Sequence, residues 1–282
     1  MVNKRKIILM FLIIFISITF VGCSSMDKIK VKLNLKNTDF ELIKDGKIDK
    51  IIIQNSRDKG FTFSVTDKDA ISDFYEIFSD AKVVEEKTEL NPDYKIEMYD
   101  GANIVYEFSY IAGLDKKNLG NLYNDDKVYI VSDRLDDDII AHFWTINKPS
   151  NFSELYYKSI LETLEMYTRD EDSYSSVSIN INNDVGILKY ILSTELDGFE
   201  TKLKKQNNKA ILIKDINSED NSDVRVIIDT LGYKTDLYKN KITFYNKTTK
   251  NEVVYYIKYV LDGKTGVWNE NIYLEKDLPQ DF

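Results

Sequence analysis

Hydrophobic and polar positions change rhythm several times along these 282 residues, and each rhythm predicts an element. From Ile7 to Gly22, "IILMFLIIFISITFVG", the chain is almost unbroken apolar sequence behind a cationic "MVNKRK". Alternation then takes over. "KVKLNLK" and "KIDKIIIQN" predict strands, and "FTFSVTD" sets Phe61, Phe63 and Val65 on one face at a period of two. In "DKDAISDFYEIFSDAK" the apolar Ile71, Phe74, Tyr75 and Phe78 recur at helical spacing, with Thr66 as the N-cap and Asp69 three residues on. "YKIEMY", Asp100-Gly101 and "NIVYEFSYI" read as a hairpin that puts Ile104, Tyr106, Phe108 and Tyr110 on one face. "KVYIVSD" adds a strand, and "RLDDDIIAHFW" a short closing helix.

Pro149 in "NKPSN" marks a linker, and the pattern starts afresh behind it. Asn151 with Glu154 opens a helix whose stripe is Leu155, Ile160, Leu164 and Tyr167. "YSSVSINI" and "KAILIKDI" predict strands, "DVGILKYIL" a short helix, and "SDVRVIIDTLG" a helix ending at Gly232. "KITFYN", "EVVYYIKYVLD" and "GVWNENIYL" close the chain as strands, the last two joined by a turn that begins at Asp262-Gly263. Strands separated by short turns and interrupted by amphipathic helices imply an α+β fold. Two small domains are expected, residues 31–147 and 148–282, each a mostly antiparallel sheet with helices packed on one face.

The apolar N-terminal run spans about 24 Å as a helix, short of the ~30 Å hydrocarbon core of a bilayer. Residues 1–22 therefore read as a secretory signal, with the positive end cytoplasmic. "FVGC" resembles the lipobox of bacterial lipoproteins, although Phe20 stands where the usual box carries Leu. The resemblance implies cleavage between Gly22 and Cys23 and a thioether-linked diacylglycerol on Cys23. Two acyl chains anchor stably, at about 0.8 kcal/mol per buried methylene. Cys23 is the sole cysteine, so no intramolecular disulfide can form, and a body without thiols suits an oxidising exterior. Residues 23–30 read as a tether that holds the folded part within about 30 Å of the membrane. The expected location is the extracytoplasmic face of the cell membrane, with an envelope protein or wall component as a possible partner.

Charge removes one class of partner. Losing Lys4, Arg5 and Lys6 with the signal leaves 35 basic against 47 acidic residues, a charge of -12. The longest downstream basic run is "KLKK" at Lys202–Lys205, so no concentrated cationic face for nucleic acid is expected.

Catalytic chemistry is poorly provided for. His142 is the only histidine and lies in the apolar "IIAHFW", without G-x-S-x-G anywhere. Zinc sites of the common kinds need more His or Cys than exist here. Neither phosphate-binding glycine motif occurs. "DINSEDNSD" spaces Asp215, Asn217 and Glu219 like calcium ligands, but Asp220 replaces the central glycine and Val226 the closing glutamate. A carboxylate pair acting on wall polymers needs a separation that sequence alone does not give. No catalytic, cofactor-binding or metal-binding residue is assigned.

The order of strand, alternating strand, capped helix and hairpin, with "NPDYKIEMYDG" leading the second half, resembles the YhfM-like domains of Gram-positive lipoproteins. The resemblance covers about 100 residues and implies a compartment and a general fold, with no catalytic residue to carry over. The expectation is a non-enzymatic, membrane-anchored lipoprotein with a binding or envelope-structural role. A small-ligand or cation binder is the alternative, and a carboxylate-dependent hydrolase of wall polymers the second.

Overall fold

The computed structural model describes residues 37–114, 119–140, 148–170, 174–214, 218, 220–280 and 282, with only the backbone of 137–139. Gly22, Cys23, the tether, the "KVKLNLK" strand, His142, Asp215, Asn217 and Glu219 lie outside the described residues. Two mostly antiparallel sheets form, one in each half of the chain.

The first sheet takes β1 (Lys50–Asn55), β2 (Thr62–Val65), β3 (Lys82–Val84), β4 (Tyr94–Asp100), β5 (Asn103–Tyr110), β6 (Leu122–Tyr123) and β7 (Val128–Ile130) in the order β2-β1-β4-β5-β6-β7-β3. A one-turn helix α1 (Glu41–Lys44) and the longer α2 (Lys68–Ser79) accompany it. The stripe of Ile71, Phe74, Tyr75 and Phe78 is buried, with Phe40 packed 5.1 Å from Phe78 between ring centroids. The N-cap of α2 is Asp67 and not Thr66. Its carboxylate accepts from the amides of Asp69 at 3.1 Å and Ala70 at 3.0 Å, a reach that suits the shorter spacing. The β4–β5 hairpin pairs Asp100 with Asn103, so its two loop residues are Gly101 and Ala102, one place later than the sequence suggests. Gly101 supplies the positive φ of 60°.

A bulge changes one face. Met98 pairs with Tyr106 but Tyr99 with Ile104, which leaves Val105 as the extra residue. Ile104 is thereby turned to the outer face with Tyr99 and is 48% exposed, while Val105 and Tyr106 pack on the core. The expected closing helix is described only over Leu135–Ile140, where it is a π-helical turn.

The second sheet has the order β13-β12-β11-β10-β8-β9, from β8 (Val177–Asn180), β9 (Ala210–Ile213), β10 (Val224–Lys234), β11 (Leu237–Asn246), β12 (Glu252–Leu261) and β13 (Trp268–Leu274). Helix α3 (Phe152–Asp170) buries Leu155, Ile160, Leu164 and Tyr167 as expected. Two features differ from the sequence reading. "SDVRVIIDTLG" is strand β10, running parallel to β8 and antiparallel to β11. Val224, Val226 and Ile228 alternate into the core, and β-branched residues between two strands favour extension over helix. Between 193 and 206 the chain forms helix α4 (Ser193–Gln206), which buries Leu196, Phe199 and Leu203. "DVGILKYIL" is a short helix as expected, in 3-10 form over Val185–Tyr190.

Candidate functional site: a cleft between the two halves

Polar contacts join the halves where the loop after β1, the start of β4 and the start of α4 meet. Asp93 is fully buried and central. Its Oδ1 takes Arg57 Nη1 at 2.7 Å and the Ser193 amide at 2.8 Å, and its Oδ2 takes the Ala112 amide at 3.0 Å. Arg57 also donates to Ile191 O at 2.9 Å and Ser193 Oγ at 2.5 Å, and Ser193 Oγ donates to Asn91 O at 2.7 Å. Asn55 Nδ2 reaches Lys189 O at 3.3 Å. Burial raises the Asp93 carboxyl above its ordinary value, while Arg57 and the Ser193 and Ala112 amides pull the other way. Asp93, Arg57 and Ser193 leave no buried side-chain polar atom without a partner among the described residues, which makes this a structural joint.

Beside the joint lies a cleft of about 800 Å³. The first half contributes Tyr94, Ala112, Gly113, Asp133, Asp136 and Ile140, and the second Lys148, Ser150, Ser153, Tyr190, Leu192 and Glu195. Asp136 is already employed, accepting from the Tyr110 hydroxyl at 2.9 Å and the Gly113 amide at 2.8 Å. Gly113 adopts a φ of 64°, and a side chain there would crowd Thr194 Oγ1 at 3.3 Å, so glycine suits this turn at the joint. The Tyr94 hydroxyl is buried without a hydrogen-bond partner among the described residues.

Two opposite charges stand on the second half of the cleft. Lys148 Nζ lies 5.5 Å from the Tyr190 ring centroid and 6.0 Å from that of Phe152. Burial lowers its ammonium pKa, and Glu195 partly offsets this. Glu195 is the third residue of α4 and reaches back to the Leu192 amide, as a capping glutamate does. Burial raises its carboxyl, against the Ser153 hydroxyl and that amide.

A second depression of about 520 Å³ runs between α3 and α4 and shares Ser153 and Glu195 with the first. Tyr157, whose hydroxyl is buried and has no partner among the described residues, lines it. So do Lys158 and Glu162. There Tyr259 donates its hydroxyl to Glu270 Oε1 at 2.6 Å and Glu162 Oε2 at 3.1 Å, and Lys158 Nζ reaches Glu270 Oε2 at 2.9 Å.

Residues 44–149 match the family described as YhfM protein. The YhfM-like domain thus runs from the end of α1 to Pro149, well under half of the chain. It carries the first wall of the cleft together with Arg57, Asp93 and Lys148, and the second half supplies the remainder. No curated protein and no solved structure matches the chain.

The residues read from sequence are not gathered here. Of the calcium-like loop, Asp220 is described. Burial pushes its carboxyl up, but hydrogen bonds from Ser222, Arg225, Ser178 and Lys247 outweigh that and hold it well below the carboxylate range. Its Oδ2 takes Arg225 Nε at 2.7 Å and Lys247 Nζ at 3.2 Å, and its Oδ1 the Ser222 hydroxyl at 2.5 Å. Among the described residues no group of three or more His, Cys, Asp or Glu could hold a metal ion, and no helix is long and apolar enough to cross a membrane. Sequence reasoning missed Arg57, Asp93, Lys148, Ser193 and Glu195. Only helix α4 left a signal, in the spacing of Leu196, Phe199 and Leu203.

Proposed function

We propose that this is a lipid-anchored extracytoplasmic binding protein, which holds a small polar ligand in the cleft between the YhfM-like domain and the second half. The cleft carries the reading: both halves line it, and both charged and aromatic side chains face one space large enough for a small molecule. Asp93 and Arg57 fix its walls relative to one another, so the site is formed in advance of binding. The anchor follows from Cys23 and the apolar run before it.

Thermal melts against calcium, sugars, amino acids and peptides test the binding part. A ligand at a hundred times its Kd adds about 2.7 kcal/mol to the folded state and raises Tm. A panel without any shift contradicts the proposal. Fractionation tests the anchor: a Cys23→Ala chain is expected in the soluble fraction or as an unprocessed precursor. Membrane association and mature size equal to the parent's would exclude lipidation at Cys23.

A further inference from the structure

The cleft holds a cation and a carboxylate that do not neutralise one another. Lys148 makes no ion pair among the described residues, and its contacts are the rings of Phe152 and Tyr190. Glu195 uses the Leu192 amide and the Ser153 hydroxyl, both uncharged, and it senses Lys148 without touching it. Lys148 is half-buried and Glu195 is exposed at the cleft, while the surrounding protein draws the ammonium down and the carboxyl up. Charges lining a low-dielectric cleft attract their opposites, and a ligand of one sign satisfies only one of the two. An anion on Lys148 faces Glu195, Asp133 and Asp136 across the cleft, and a cation on Glu195 leaves Lys148 repelled. A molecule carrying both signs relieves both charges.

We infer that the cleft binds a small zwitterion, its carboxylate on Lys148 and its ammonium on Glu195, the class of free amino acids and short peptides. This rests on the reading of the cleft as a binding site. Two further observations agree with it. The hydroxyls of Tyr94 and Tyr157, one in each depression, are buried and have no partner among the described residues. The groove between α3 and α4 continues from the cleft past Glu195, which gives a ligand longer than one residue somewhere to run. Asp136 is held by Tyr110 and Gly113, and of the other cleft carboxylates Glu195 is the one whose charge acts on Lys148, so it is assigned to the ammonium.

Calorimetric titration of the folded chain with the standard amino acids and a set of dipeptides, each beside its N-acetylated and C-amidated form, tests this. Free forms bind, and either block weakens binding by about ten- to a hundred-fold, as loss of a charge-assisted contact does. Lys148→Met erases the preference for a free carboxylate and leaves that for a free ammonium. Glu195→Gln, which keeps the helix cap, does the reverse. Equal binding of free and blocked forms, or binding that neither variant alters, overturns the zwitterion. Shifts with sugars or calcium but with no amino acid or peptide overturn it too, while sparing the cleft. No binding across the whole panel removes the cleft as well.

Discussion

Asp93 shows what a single residue can do in this chain. It is one aspartate among many in the sequence, set in "NPDYK", yet it gathers Arg57 from 36 positions before it and Ser193 from 100 positions after it. Removing one partner of a buried pair leaves a bare charge, so Arg57→Met is expected to cost about 3–5 kcal/mol in chemical denaturation. Loss of less than about 1 kcal/mol, the scale of an exposed pair, contradicts the joint. None of these partners was legible beforehand, because periodicity reports which face a residue occupies and nothing about contacts made across a hundred positions. Cys23 is the opposite case. The lipidation proposed for it rests on local sequence alone, the apolar run and small residue before it.

At the scale of elements, strong periodicity was read correctly, while a double-edged pattern and a diluted one were not. The stripes of α2 and α3 and most strands stand where the apolar spacing puts them. In "SDVRVIIDTLG" both periods fit: Val224, Ile227, Ile228 and Leu231 suit a helix, while Val224, Val226 and Ile228 suit a strand. Pairing with β8 and β11 decides between them, and that lies outside the segment. Helix α4 went unread because polar residues and Gly198 dilute its three buried positions. The α2 cap moved by one residue, which is directly testable. Asp67→Ala is expected to lower stability by about 1 kcal/mol and Thr66→Ala by much less; equal losses contradict the assignment.

Helix α3 is also tied to the sheet edge by a pair that senses pH. Burial, and then Glu270, push the Glu162 carboxyl up to about 7 from its ordinary 4.5. A carboxyl raised in the folded state holds its proton more tightly there than in the unfolded chain. Stability therefore falls as pH climbs from about 4.5 to about 7. Glu270 is shifted down, its burial outweighed by Glu162, Tyr259 and Lys158, and offsets part of this. Glu162→Gln, which cannot ionise, is expected to raise Tm at pH 8 and to leave it unraised at pH 5. A variant that tracks the parent at both pH values removes the proton-sharing pair.

As a whole molecule, the chain combines an N-terminal segment that reads as an address with two α+β halves that meet at one polar joint. The α+β class and the YhfM-like half were legible, because both rest on local pattern repeated over many residues. The cleft was not, since it exists only once β4, α3 and α4 converge. Its role is the central claim, and amide hydrogen exchange with and without a saturating dipeptide from the panel tests it most directly. Protection is expected in the segments around 112–113, 148–153 and 190–195, which line the cleft from both halves. Protection confined to other segments, or none at a concentration that raises Tm, would contradict it.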